Sequence, residues 1–221
     1  MTGLAETGPI IVINPNSNQA VTDGLAEALA PFQRPDGPAI ECLTLAEGPF
    51  GIESQSDSDL VVAPLLDLVK SRPDASAFII ACYSDPGLEA CRTVTDAPCF
   101  GIQESGVLAA LARGDLFGVI AISEGSIARH RRYVRRMGVL DRLAGERALN
   151  MSVAETATGE DTFAALERTG HALVNDGADV IVFGCAGMAT HRKALVAAIG
   201  IPVVEPTQAA VAMALGAILP G

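Results

Sequence analysis

Two cysteine residues end apolar segments that look like copies of one unit. Cys82 follows the run at residues 77–81, and Cys185 follows the run at residues 179–184. Ligands bind at the carboxyl ends of strands in open α/β sheets, so both thiols stand where a substrate is expected. A thiolate on one side of a carbon atom and a thiol on the other can remove a proton and return one to the opposite face. That reaction inverts the carbon and needs no cofactor.

The acidity of these thiols depends on the elements that follow them. A neutral thiol is a poor base, and a helix N-terminus lowers the pKa of a cysteine. We predict a helix after each thiol, and Ser84 or Asp85 is the expected cap of the first one. The small residues after Cys185 are expected to bring backbone N–H groups to a ligand oxygen. The other three cysteines lack this setting and are assigned to buried structural positions: Cys42, Cys91 and Cys99.

The composition limits the cofactors and partners. The 221 residues carry a formal charge of −11, which argues against nucleic-acid binding because phosphate contacts need basic residues. The five cysteines form no C-x-x-C pair, and His130, His171 and His191 lack metal-ligand spacing, so neither a metal nor another cofactor is predicted. No apolar run approaches the ~20 residues of a membrane span, and the N-terminal residues lack signal-peptide features. We expect a cytoplasmic homo-oligomer that binds a small molecule and no membrane. The arginine-rich stretch 129–136 is assigned to a solvated face or a subunit contact.

Strand-like and helix-like segments alternate, which predicts an α/β fold with largely parallel sheets. The predicted strands are 10–13, 40–45, 78–81, 98–102, 117–122, 147–153, 180–183 and 202–204. The predicted helices are 19–31, 59–71 with Asp57 or Ser58 as cap, a short one from 84, 103–113, one after 126, 160–176, 190–199 and 207–219. Residues 47–58 are predicted to be mostly loop.

An internal repeat organises these elements. The strand and polar loop at residues 10–17 resemble those at 119–126, and each is followed at a similar distance by a cysteine segment. The repeat predicts two pseudo-symmetric lobes with a shared cleft. The first lobe is assigned to residues 1–96 plus 206–221, and the second to residues 97–205.

Several motifs resemble the Asp/Glu/hydantoin racemase superfamily, in order over nearly the whole chain. They are most similar to the hydantoin and allantoin racemases, and glutamate racemases differ in the residues after each cysteine. The motifs lie at residues 13–17, 48–54, 81–88, 101–104 and 184–189. One segment departs from the family pattern: residues 122–126 stand where members often carry Thr-Thr and Ser-Val-Pro.

The resemblance implies an active site between two α/β lobes and a two-base mechanism with Cys82 and Cys185. It also implies that Asn14, Ser84, Ala186 and Gly187 bind the ring or carboxylate of the substrate. The predicted binding residues also include Tyr83 and Ser123. A purely local reading of the Asn14 loop is a tight turn with Asn18 as helix cap. Three further polar residues are assigned to structural or surface positions: Glu53, Glu104 and His191.

The resulting hypothesis is a cofactor-independent racemase acting on a 5-substituted hydantoin or allantoin. Alternatives within the superfamily are an aspartate or glutamate racemase, a maleate isomerase and an arylmalonate-type decarboxylase. A two-lobed small-molecule binding protein is the non-enzyme alternative. If each sulfur approaches one carbon from roughly 3–3.5 Å on opposite faces, the two sulfurs are about 6–7 Å apart across the cleft.

Overall fold

The computed structural model describes residues 7–158 and 161–218. The strands in these residues are β1 Ile10–Asn14, β2 Ile40–Thr44, β3 Ala77–Ile80, β4 Cys99–Gly101, β5 Phe117–Ala121, β6 Leu143–Ala148, β7 Val180–Phe183 and β8 Val203–Val204. The helices are α1 Gln19–Leu29, α2 Gln55–Leu60, α3 Val62–Ser71, α4 Leu88–Cys91, α5 Ile102–Leu111, α6 Glu124–Arg136, α7 Val153–Thr158, α8 Thr162–Asn175, α9 Arg192–Ile199 and α10 Pro206–Ile218. Short 3-10 turns lie at Ala30–Phe32, Leu140–Arg142 and Ala186–His191.

The described strands form two parallel sheets of four strands each. The order is β2-β1-β3-β4 in the first sheet and β6-β5-β7-β8 in the second, so corresponding strands occupy corresponding places. β1, β3, β5 and β7 are completely buried, as is typical of parallel strands covered by helices on both faces. The predicted α/β fold with two pseudo-symmetric lobes is confirmed.

The repeat extends to individual hydrogen bonds beside each thiol. Ala81, just before Cys82, donates its N–H to Ile13 O on β1 at 2.8 Å. Gly184, just before Cys185, donates its N–H to Ile120 O on β5, also at 2.8 Å. The two thiols therefore follow equivalent central strands at the same edge of their sheets.

The first sheet extends beyond the predicted lobe boundary. β4 pairs with β3 through Phe78 and Cys99, so residues 99–101 belong to the first sheet although the second lobe was predicted to start at residue 97. β4 is only three residues long and follows a short connection, so the sequence does not mark it clearly as part of the first sheet. α5 packs on α10, where Gly106 lies against Pro206. One large hydrophobic core includes residues of both sheets.

Asp85 does not cap the helix after Cys82. α4 is a single turn with Gly87 as its N-cap, and both Asp85 and Gly87 have positive φ angles, of 46° and 68°. The Asp85 carboxyl group instead accepts hydrogen bonds at 2.8 Å from Gln103 N and Glu104 N, in the first turn of α5. A Cβ at Gly101 would lie 2.2 Å from Asp85 Cγ, so glycine is what allows this approach.

Two other boundaries differ from the prediction for local reasons. Ser54 starts α2 through a capping box with Asp57, inside the stretch predicted to be loop. β6 is a half-buried edge strand with polar residues, so its sequence lacks the apolar run that marks the central strands. The strand predicted at 147–153 therefore begins earlier, at Leu143, and α7 starts where it was expected to end. The predicted helix limits at residues 160 and 219 lie outside the described residues.

The described helices also bear on membrane association. Within residues 7–158 and 161–218, no helix combines the length and apolar character that a membrane crossing requires.

Candidate active site

Both cysteines line one inner cavity at the junction of the two lobes. Its volume is about 30 Å³, enough for about two water molecules. The first lobe contributes Asn16, Ile52, Cys82 and Tyr83 among other residues, and the second contributes Ile122, Val153, Cys185 and Ala186. Two residues of α6, Arg129 and His130, complete the wall. The structure thus brings the two sequence repeats together at one cavity.

Cys82 contacts a chain of serine hydroxyls. Its Sγ lies 3.4 Å from Ser84 Oγ, which lies 3.3 Å from Ser58 Oγ. The Ser58 hydroxyl donates its one proton to Ser54 O, so its oxygen accepts from Ser84. Ser84 Oγ is then left to accept from the Cys82 thiol. When Cys82 loses its proton, the Ser84 hydroxyl must turn to donate to the sulfur.

Cys185 has an equivalent hydroxyl partner from α7. Thr156 Oγ1 lies 3.7 Å from the Cys185 sulfur, and its proton is donated to Val153 O at 2.8 Å. The sulfur also accepts a hydrogen bond from Gly187 N at 3.4 Å, at the start of the 3-10 turn Ala186–His191. A thiolate at Cys185 would therefore keep a backbone donor.

Burial outweighs these hydrogen bonds in the unliganded protein. Desolvation raises the pKa of Cys82 to about 12, against smaller lowering effects of Ser84 and of the positive charge of Arg129. Desolvation also raises the pKa of Cys185, although Gly187 N and Thr156 lower it. The expectation that helix N-termini lower both thiol pKa values is therefore wrong for this state. α4 is a single turn, and Cys185 precedes a 3-10 turn rather than a long helix.

The predicted binding residues have different positions. Tyr83 and Ala186 line the inner cavity, and the buried Tyr83 hydroxyl has no hydrogen-bond partner within the described residues. Ser84 lines an adjacent outer groove. Gly187 donates to Cys185 and borders a separate small cavity. Ser123 is the N-cap residue of α6, and its carbonyl oxygen accepts from Ser126 Oγ at 2.7 Å, while its neighbour Ile122 reaches the cavity.

Asn14 supports the cavity from behind. Its side chain is fully buried, and Nδ2 lies 3.0 Å from Asn16 Oδ1 and 3.0 Å from Thr22 Oγ1. Asn14 is absent from the cavity wall, which Asn16 lines instead. Asn18 caps α1 by accepting from Ala20 N, as the turn interpretation predicts. In this structure Asn14 therefore orients the loop that brings Asn16 to the site.

Helix α6 contributes residues from the stretch 129–136, which was predicted to form a solvated face or a subunit contact. Arg131, Arg132, Arg135 and Arg136 are indeed exposed. His130 is buried, however, and its Nδ1 lies 2.5 Å from Oε1 of the equally buried Glu146. Its ring packs edge-on against Tyr83, with 5.0 Å between ring centroids. The signal in the sequence was a histidine and an arginine one turn into the helix that follows β5.

Hydrogen bonds join the two lobes beside the inner cavity. Glu53 Oε1 accepts from Val153 N at 3.2 Å, which joins the first lobe to the second. Arg129 Nη1 and Arg132 Nη2 reach Glu53 O and Gln55 Oε1, each at 3.4 Å. The structural assignment of Glu53 agrees with this contact. Glu104 pairs with Arg92 and accepts from Tyr133, away from the inner cavity.

The fold and the site together define a two-lobed α/β enzyme with one thiol from each lobe in the cleft. The model of the Asp/Glu/Hydantoin racemase family matches residues 10–214, and the chain belongs to this family. The resemblance drawn from the motifs and the assignment to racemases are thereby confirmed.

Individual relatives agree with this membership. A hydantoin racemase from Paenarthrobacter aurescens is 34% identical over 210 residues, which cover 91% of this chain and 87% of the relative. An allantoin racemase from Klebsiella pneumoniae superposes with a TM-score of 0.89 at 26% identity, covering 96% of this chain and 87% of that one. The allantoin racemase from Pseudomonas fluorescens gives a TM-score of 0.89 at 28% identity, with coverage of 95% and 90%.

Proposed function

We propose that this protein inverts the α-carbon of a 5-substituted hydantoin or of allantoin, with Cys82 and Cys185 as the two bases. The observation that carries this proposal is the placement of both thiols, from equivalent strand ends of two lobes, on one cavity. The relatives named as hydantoin and allantoin racemases support the choice of a cyclic ureide.

The proposed reaction moves one proton in and one proton out. One cysteine, as thiolate, takes the proton from the α-carbon, and the electron pair of the C–H bond moves into the neighbouring carbonyl group as an enolate. The other cysteine, as thiol, donates its proton to the opposite face of the carbon, and the carbonyl re-forms. The enzyme ends with the two protonation states exchanged, and proton exchange with water restores the starting form.

The hydroxyl partners suit both stages of this cycle. Ser84 and Thr156 accept from their cysteines as thiols and can donate to them as thiolates, so each residue keeps a partner in both states. Gly187 N stabilises a thiolate at Cys185 in addition. The free volume of the inner cavity is about 30 Å³, so binding of a five-membered ureide requires residues of the cavity wall to move.

A panel of single enantiomers tests the activity. Circular dichroism is followed for allantoin, several 5-substituted hydantoins, aspartate and glutamate, and the rate in buffer without enzyme is subtracted. We expect loss of the signal with the cyclic ureides and no change with the two amino acids. Racemisation of aspartate or glutamate alone would contradict the proposed substrate class, and a signal unchanged for every compound would contradict a racemase.

The rate of racemisation is expected to rise with pH. Burial raises the pKa of both thiols, so nearly all of the free enzyme carries them protonated near neutrality. The thiolate fraction grows tenfold per pH unit below its pKa, and we expect kcat/KM to rise about tenfold per unit from pH 6 to 8.

Ser84→Ala removes a donor to the Cys82 thiolate and should lower kcat/KM at each pH by about tenfold.

The matched control for this measurement is Ser71→Ala, which removes an exposed hydroxyl bonded to Leu68 O at the end of α3. This variant should follow the wild-type pH profile. A wild-type profile that is flat between pH 6 and 8 would contradict the raised thiol pKa values. Equal rates for Ser84→Ala and wild type would contradict the role given to Ser84.

A further inference from the structure

Arg129 stands at the junction of two spaces. It lines the inner cavity with the cysteines and also the outer groove, which has a volume of about 420 Å³ and lies against α2, α6 and the turn after Cys82. The Nε atom of Arg129 is buried and has no hydrogen-bond partner within the described residues. Its Nη1 lies 3.4 Å from Glu53 O, a long donor–acceptor distance for a hydrogen bond. Within the described residues, the guanidinium thus has a single protein acceptor, Glu53 O.

The acidic groups near Arg129 accept their hydrogen bonds from other residues, although the charge of Arg129 contributes, after the hydrogen bonds from Ser54 and Glu53, to the lowered pKa of Asp57. Asp57 accepts from Ser54 N and Glu53 N at the start of α2, and Glu146 pairs with His130. The Glu53 carboxylate accepts from Val153 N. Within the described residues Arg129 forms no ion pair, whereas Arg136 on the same helix lies 3.6 Å from Glu89. A positive charge therefore faces the substrate space of a strongly acidic chain.

The chemistry of a guanidinium specifies the partner it fits. Its planar fork of N–H donors matches a carboxylate in a two-point hydrogen bond, and the charge strengthens both bonds. A substrate ring held between the two thiols would direct the substituent of its α-carbon toward an opening of the cavity. Arg129 lies where the inner cavity meets the outer groove, and the groove has room for a substituent of several atoms.

We propose that Arg129 selects 5-substituted hydantoins whose substituent ends in a carboxylate, such as 5-carboxymethyl- and 5-(2-carboxyethyl)hydantoin. This inference rests on the proposed function, because it names the substrate class of the same site. The ring is inverted between Cys82 and Cys185, and the carboxylate is held by Arg129 at the mouth of the outer groove.

Arg129 also acts on Cys82, and the two effects must be separated. Its positive charge lowers the pKa of the Cys82 thiol, so a neutral replacement slows the reaction of every substrate. That general loss cancels in the ratio of kcat/KM for two substrates that differ only in charge. The specificity ratio therefore reports the contact with the carboxylate alone.

The test compares (S)-5-(2-carboxyethyl)hydantoin with its uncharged isostere (S)-5-(2-carbamoylethyl)hydantoin. We expect wild type to prefer the acid by about tenfold or more in kcat/KM, as is typical of a hydrogen-bonded charge. Arg129→Gln should bring the ratio close to one, and Arg129→Lys should keep part of it. Arg135→Gln removes an equal charge from an exposed position of the same helix and should leave the wild-type ratio.

The outcomes separate this inference from the proposed function. Racemisation of both compounds with equal kcat/KM, or a preference that survives in Arg129→Gln, overturns the role of Arg129 and leaves the racemase intact. If neither compound is racemised, calorimetric binding of the two compounds decides about Arg129, and the proposed function fails only if allantoin and the other hydantoins of the panel are also left unchanged. Tighter binding of the acid to wild type but not to Arg129→Gln then supports the anion site, and equal or absent binding overturns it.

Discussion

Replacing either Cys82 or Cys185 by alanine is expected to lower racemisation of both enantiomers by about 10²- to 10⁴-fold, the usual contribution of a positioned acid or base. Each direction of the reaction uses both thiols, one to remove the proton and the other to return one. Loss of one thiol therefore stops inversion in both directions. The rates are measured by circular dichroism on each pure enantiomer of the best substrate in the panel.

Cys42→Ala is the matched control for these variants. Cys42 is a free, half-buried cysteine on β2 that does not line the inner cavity, and burial raises its pKa to about 11. Its replacement removes a shielded thiol without touching the site and should leave kcat/KM within about twofold. Near-wild-type racemisation by either Cys82→Ala or Cys185→Ala would refute the two-base scheme.

Gly184→Ala is expected to reduce both stability and activity. A Cβ at Gly184 would lie 2.5 Å from the backbone oxygen of Ile120, which cannot rotate away as a side chain can. Such overpacking costs about 1–3 kcal/mol in the free energy of unfolding. The shift of β7 relative to β5 would also move Cys185, and a displacement of about 1 Å at a reacting group lowers the rate on the order of 10²-fold. Denaturant unfolding and kcat/KM measure the two effects.

Gly216→Ala provides the comparison for this variant. Gly216 lies on the exposed side of α10, and a Cβ there meets no atom within 4 Å. The substitution adds the same methyl group to a helix and should be neutral or stabilise by up to about 1 kcal/mol. If Gly184→Ala proves as stable and as active as Gly216→Ala, the close approach of β7 and β5 matters for neither stability nor activity.

The sequence was sufficient to predict the strands that position the thiols. The apolar runs of β1, β3, β5 and β7 are buried on both faces, so hydrophobicity alone marks them, and β7 has the predicted limits. The repeat of strand, polar loop and cysteine segment predicted the equivalence of the two lobes. The same criterion missed the start of β6, because an edge strand with polar residues has no continuous apolar run.

Long-range contacts explain the other differences in the fold. Asp85 reads locally as a helix cap, yet its carboxyl group accepts from two residues of α5 that lie 18 and 19 positions away. No pattern within a short window reveals such a contact. The capping box of Ser54 and Asp57 was readable in principle, but the glycine- and serine-rich stretch around it indicated a loop.

The site was predictable in its reactive groups but less so in its walls. Cys82 and Cys185 stand out by their repeated setting, whereas Arg129 and His130 belong to a basic stretch whose other arginines are exposed. Which helical positions face the cavity depends on how α6 packs across the lobes. The same limit applies to acidity, because burial raises the pKa of both thiols and burial is a property of the assembled cleft.

The most direct test of the two-thiol mechanism is the fate of hydrogen at the α-carbon. Each pure enantiomer is incubated with the enzyme in D₂O, and the early mixture is separated by chirality and examined by ¹H NMR. We predict that the inverted product carries deuterium while the remaining substrate keeps its proton, because one cysteine removes the proton and the other supplies a solvent deuteron. Inverted product that retains the original proton, or substrate that gains deuterium as fast as the product forms, would contradict a base on each face.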